Sequence, residues 1–156
     1  MPLAWRLVKE KYAGIAFSGE GAAKSGGRWN SRGQAAVYAS GTLSLAALET
    51  LVHLFPPVSI RYVAIRIEFD SALVEKLNLK TLPPDWRAEP PAPSTQAIGD
   101  AWISEKRSAV LEMPSIIIPS ESNYLLNPLH PQFGRISIGK PETFAFDPRL
   151  VSSGSG

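Results

Sequence analysis

Two prolines, Pro56 and Pro57, separate the chain's strongest helix signal from its strongest strand signal, and that junction limits the architectures open to it. Before them, TLSLAALETLVHLF (42–55) is filled with Leu and Ala, offers Thr42 or Ser44 as a cap, and must stop at the prolines. After them, SIRYVAIRIEF (59–69) alternates apolar and polar residues with β-branched side chains, the pattern of a half-buried strand. AWRLV (4–8) and AAVYAS (35–40) read as short strands, and the Gly- and Ser-rich 16–34 between them reads as loop. SALVEKL (71–77) reads as a short helix, 81–95 as a proline-rich loop, and 95–108 as a helix with Gly99 inside it. AVLEMPSIIIP (109–119) gives one or two strands, 121–133 is turn-rich, and 135–147 closes with strands. Strands surround two or three helices with no βαβ rhythm, so the expected fold class is α+β.

Composition narrows the functions. The 156 residues suit one domain, expected over 1–150, with 151–156 as a flexible tail of the kind cloning leaves behind. Hydrophobic residues at 44% and charged residues at 19% are ordinary for a globular chain. A net charge of +2 without any Lys/Arg run gives counterion-release binding to nucleic acid little to act on. No apolar run approaches the roughly 20 residues a membrane span needs, and MPLAWRLVKEKY lacks the apolar core of a signal peptide, so a cytoplasmic protein is expected. The absence of cysteine excludes disulfides and thiolate chemistry, and two histidines, His53 and His130, argue against a multi-histidine metal site.

Few residues remain that could carry chemistry. Glu49 is the only charged residue in LSLAALETLV, beside the stripe Leu45, Leu48, Val52 and Phe55 that helical spacing assigns to the core. It is either an edge glutamate or a carboxylate aimed into a cleft. Arg28 lies in GGRWNS, where a guanidinium could grip a phosphate or carboxylate with two parallel bonds and Gly26 and Gly27 would allow close backbone approach. The alternative is a surface arginine in a turn. Trp29 could stack on a base or anchor the loop, and Tyr38 could satisfy its own hydroxyl in the core or wall a flat ring. IPSESNY (118–124) supplies Ser120, Ser122 and Asn123, common turn formers. GxSxG and GxxxxGK[ST] are both missing, which disfavours serine hydrolase and Walker-type chemistry. His130 reads best as ordering a proline-rich turn.

Together GGRWNSRGQAAVYAS, SLAALETLVH and VLEMPSIIIPSESNYLLNPLHPQF resemble the RES domain, in that family's order and over most of the chain. The resemblance implies a single α+β domain like the ADP-ribosyltransferase core of diphtheria-type toxins. It implies the toxin of a bacterial toxin–antitoxin pair with NAD as substrate, either degraded by hydrolysis or phosphorolysis or used to transfer ADP-ribose to a protein. The family arginine falls on Arg28, the tyrosine on Tyr38, the glutamate on Glu49 and the serine on Ser120, with Ser122 as the alternative. Trp29, Asn123 and, more weakly, Arg6 join Arg28 and Tyr38 as NAD-binding candidates, and no metal is implied. The implied partner is an Xre-type helix-turn-helix antitoxin that blocks the active site; the toxin itself contacts neither DNA nor membrane, and a homodimer within the complex would be unsurprising. A non-enzymatic module whose Arg28 and Glu49 form a structural ion pair is the competing class.

Overall fold

A computed structural model describes residues 2–53 and 60–151. The longest strands are β1 (Leu3–Lys9) and β3 (Tyr62–Glu68), paired antiparallel along their whole length. β1 continues through β2 (Val37–Ser40) to β6 (Ser122–Leu126) and β5 (Val110–Pro114), all antiparallel, and β4 (Val74–Lys76) adds to β5 in parallel. On its free edge β3 receives β7 (Ser137–Ile138) at one end and β8 (Glu142–Phe144) at the other. The result is one mixed eight-stranded sheet in an α+β domain. The helices are α1 (Glu20–Ser25), α2 (Leu43–Leu51), α3 (Pro93–Ser104) and α4 (Pro148–Val151). Among the described residues, no helix is long and apolar enough to cross a membrane.

The sheet is buried on both faces. Along β5 and β6, Val110 and Leu126 enter one core cluster with Ala4, Ile67 and Phe69, while Leu111, Met113 and Leu125 enter another with Trp29 and Trp102. This is strand alternation with apolar residues entering both faces, interrupted by Glu112 in β5 and by Ser122 and Asn123 in β6. It explains an omission: SNYLL, inside the stretch expected to be turns, is the central strand β6, because neighbours on both sides supply its ladder.

Other expectations also change. The 16–34 segment contains α1, ended by Gly26 at φ 71°. Residues 71–77 form a single turn followed by β4 rather than a helix, since Val74, Glu75 and Lys76 pair with Val110, Leu111 and Glu112. α3 connects β4 to β5, so the chain does hold one βαβ unit. Helix α2 runs from the Thr42 cap, whose side chain accepts from Leu45 N at 3.1 Å. Leu54 and Phe55, and the stop at Pro56 and Pro57, lie outside the described residues.

Candidate active site

The inward stripe of α2 is rotated from the one its leucines suggested. Leu45 and Ala46 are buried, whereas Leu48 is 39% and Val52 61% exposed. The row Thr42, Leu45, Ala46, Glu49 follows i, i+3, i+4, i+7 spacing, so Glu49 belongs to the packed side. Its Oε1 accepts two bonds, from Ser115 Oγ at 2.7 Å and from Asn123 Nδ2 at 2.8 Å. Both donors are neutral, so they orient the carboxylate without cancelling its charge. Oε2 has no hydrogen-bond partner among the described residues. Asn123 is itself fixed, since its Oδ1 accepts from Ser40 Oγ at 2.7 Å. Ser115 is fully buried at the end of β5, and its Oγ accepts the backbone N–H groups of Ile117 (3.0 Å) and Ile118 (3.1 Å).

Ser120 and Ser122 do not take this position. Ser120 is exposed in the turn before β6 and makes no side-chain hydrogen bond among the described residues, and Ser122 Oγ donates to Glu112 Oε2 at 3.1 Å. The serine on Glu49 is Ser115, which sequence reasoning missed. Three serines lie within eight residues here, and only burial tells them apart.

Tyr38 faces the same side of the sheet as Ser40, and the pairs Tyr38–Leu125 and Ser40–Asn123 carry that side across to β6. Its hydroxyl donates to Asn30 Oδ1 at 2.6 Å and accepts from Trp29 N at 3.0 Å. Burial pushes this phenol well above its ordinary range, with the Trp29 N–H pulling weakly the other way. Asn30, which sequence reasoning also missed, is fully buried and donates to the carbonyls of Ala22 (2.9 Å), Gln34 (3.0 Å) and Ser31 (3.3 Å). Gly27 is required by packing, since a Cβ there would stand 2.6 Å from the Tyr38 hydroxyl. From behind, α3 pins the loop through Gln96 Nε2 on Gly27 O at 3.0 Å and Asp100 on the Ser31 N–H at 2.9 Å.

Arg28 leaves this pinned loop and meets the proline-rich segment. Nη1 donates to Ala88 O at 2.6 Å and Trp86 O at 3.2 Å, and Nη2 to Glu89 Oε2 at 2.7 Å. No hydrogen bond or ion pair joins Arg28 to Glu49, so the direct structural pair is absent among the described residues. They are connected instead through a mixture of hydrogen bonds and intervening stretches of chain. One arm runs from Arg28 through Trp29, Tyr38, Ser40 and Asn123 to Glu49. The other runs from Glu49 through Ser115 to Ile116, whose carbonyl accepts Arg87 Nη2 at 2.9 Å beside Glu89.

Two binding candidates are structural. Trp29 is 2% exposed in the core with Trp102 and Leu111, so it anchors the loop and presents no ring for stacking. Arg6 lies on the other side of the sheet from Ser40 and Asn123, because Trp5 is the residue opposite Ser40 and the strand alternates. Its Nε donates to Ala16 O at 2.7 Å and its Nη1 to Tyr38 O at 2.8 Å, and burial pushes it down to about 10. His130 orders its turn, with Nε2 against Lys106 O at 3.1 Å and Nδ1 accepting Gln132 N at 3.0 Å.

The family model of the RES domain matches residues 3–147. This chain belongs to the RES domain family. Curated relatives agree with that membership over almost their full length. A protein named Toxin Res from Yersinia enterocolitica is 38% identical over 150 residues, 95% of this chain and 99% of that protein. Toxin Res of Photorhabdus laumondii is 37% identical over 153 residues, 97% of this chain and 98% of its own. A Sphingobium protein named Prs ADP-ribosylating toxin is 37% identical over 155 residues, 94% of this chain and 95% of its own. In this RES domain Arg28, Tyr38 and Glu49, with Ser115 and Asn123 on the carboxylate, form the candidate active site.

Proposed function

We propose that this RES domain is a bacterial toxin that breaks the nicotinamide–ribose bond of NAD. The observation that carries the reading is Glu49: a carboxylate held at Oε1 by two neutral donors, with no hydrogen bond on Oε2 among the described residues. When the glycosidic C–N bond breaks, its electron pair leaves with nicotinamide, which departs neutral and needs no general acid. Positive charge develops on the ribose, as in sugar hydrolysis. A preoriented carboxylate stabilises that charge without having to reorganise, and helps to the extent that it binds the transition state better than the substrate. Water adding to the ribose carbon and losing a proton gives ADP-ribose; phosphate adding there gives ADP-ribose phosphate.

Arg28 is the holder of the pyrophosphate in this reading, set by the loop that α3 pins. Tyr38 contributes its ring, because its hydroxyl is already engaged by Asn30 and Trp29. Ser115 and Asn123 are positioning residues for Glu49. The same reading includes a likeness to the ADP-ribosyltransferase core, a cytoplasmic setting where NAD is available, and an antitoxin of the helix-turn-helix class over the site entrance.

A second reading keeps the bond cleavage and changes the acceptor to a protein side chain. It is favoured by the name of the Sphingobium relative, an ADP-ribosylating toxin that aligns over 155 residues. Product analysis separates the readings. The antitoxin-free protein is incubated with NAD, with and without phosphate, and products are read by mass. Nicotinamide with ADP-ribose marks hydrolysis, a phosphate-dependent product marks phosphorolysis, and label transfer only in lysate marks protein modification. A folded sample inactive in every arm overturns the proposal.

A further inference from the structure

The proline-rich loop before α3 is built around Arg28. Pro83, Pro84, Pro90 and Pro91 restrict its backbone, and turns close it through Trp86 N to Pro83 O at 3.0 Å and Ala88 N to Asp85 O at 2.9 Å. The carbonyls that Arg28 Nη1 meets are therefore fixed parts of a stiff segment. The partner of Nη2 is different. The Glu89 side chain is 64% exposed and makes no other hydrogen bond among the described residues, while Arg28 is 11% exposed. A guanidinium has five N–H donors. Both on Nη1 are engaged by carbonyls, and Glu89 takes one of those on the Nη2 and Nε edge. That edge is the one left for a bidentate grip on phosphate.

Resting on the reading of Arg28 as the pyrophosphate holder, we infer that Glu89 is a built-in competitor for the anionic part of the substrate and a determinant of its affinity and selectivity. The carbonyls of Trp86 and Ala88 keep the guanidinium plane in place while the Glu89 carboxylate swings out. The pair is open to solvent on its Glu89 side, where screening weakens it, so a diphosphate with two charges can displace the carboxylate. A nucleoside without phosphate has nothing with which to displace it. The competition acts on binding and leaves bond breaking at Glu49 unchanged, so it enters KM and not kcat.

The test compares the full chain with its Glu89→Gln and Glu89→Ala variants, with thermal melts confirming that each is folded. ADP-ribose binding is read by calorimetry, and NAD turnover gives KM and kcat. The expected result is ADP-ribose binding and NAD KM tightened about two- to fivefold, the range for a pair whose carboxylate is in solvent, with kcat unchanged and nicotinamide riboside binding unmoved. The gain should vanish when Arg28 is also replaced by Ala. ADP-ribose binding that is equal or weaker in both folded Glu89 variants overturns the competition alone, and so does an undiminished gain without Arg28. A wild-type protein that binds no ADP-ribose overturns this inference together with the NAD reading.

Discussion

The Ser115 hydroxyl donates to Glu49 Oε1 at 2.7 Å, joining residues 66 positions apart at the end of β5 and on the inward stripe of α2. The same oxygen atom of Ser115 accepts two backbone N–H groups, so it connects the turn after β5 to the carboxylate. Replacing Ser115 with Ala strands the N–H groups of Ile117 and Ile118 and frees Glu49 to turn. The expected loss is about 1–3 kcal/mol of stability, the cost of unsatisfied buried donors, together with reduced NAD turnover. Ser120→Ala should stay within about 0.5 kcal/mol, as expected at an exposed site, with turnover unchanged. Denaturant melts and NAD assays on both variants check this; a silent Ser115→Ala would remove Ser115 from the site.

Tyr38 separates ring from hydroxyl. Tyr38→Phe keeps the ring and releases Asn30 Oδ1 and Trp29 N, so it should lower stability by about 1–3 kcal/mol while holding kcat within a few-fold. Tyr38→Ala should lose most NAD turnover. Equal kcat in the Phe and Ala variants would contradict a working ring.

Alkaline pH probes the same residue. The Tyr38 phenol is held above its ordinary value by burial, so the folded form keeps a proton that an unfolded chain releases near pH 10. This contribution is fully present below pH 10 and is lost as pH rises from there toward the folded value. Stability should therefore fall with pH above about 10. Tyr38→Phe should flatten that fall and remove one late-ionising phenol from an ultraviolet titration, leaving the raised Tyr62 and Tyr124. An unchanged slope and titration in the Phe variant would show that Tyr38 is not held protonated.

Gly99 reverses an ordinary rule. Gly to Ala inside a helix normally gains up to about 1 kcal/mol. Here a Cβ would overlap the carbonyl of Trp29, the residue that carries the Arg28 loop against α3. Gly99→Ala should destabilise by about 1–3 kcal/mol, as overpacking does, and should weaken ADP-ribose binding by displacing Arg28. A stabilised variant would contradict the close contact.

The sequence disclosed the outline of this domain more fully than its interior. α2, α3, β1, β2 and β3 announce themselves through periodicity, β-branched residues and flanking turn formers. β6 does not, because a strand buried on both faces has no alternation and SNYLL sits among turn formers. β4 takes its form from parallel pairing with β5, a tertiary effect no local preference signals. In the candidate site, Arg28, Tyr38 and Glu49 stood out as polar groups at apolar or glycine-rich positions, while Asn123 lay among turn formers and was named through the family resemblance. The hydroxyl on Glu49 was not, since Ser115, Ser120 and Ser122 look alike until the fold shows which is buried. Of the two readings open for Trp29, the fold shows the loop anchor, and it puts Arg6 on the opposite side of the sheet from Ser40; sequence gives a side chain's chemistry but not the side of the sheet it enters.

The most direct test is NAD consumption by the antitoxin-free protein beside its Glu49→Gln variant, with folding of both confirmed by thermal melts. Glu49→Gln preserves shape and removes the charge. The account predicts NAD turnover by the wild type and a loss on the order of 10²-fold or more in the variant, the scale of removing one electrostatic stabiliser. Equal turnover by the two folded proteins would contradict it.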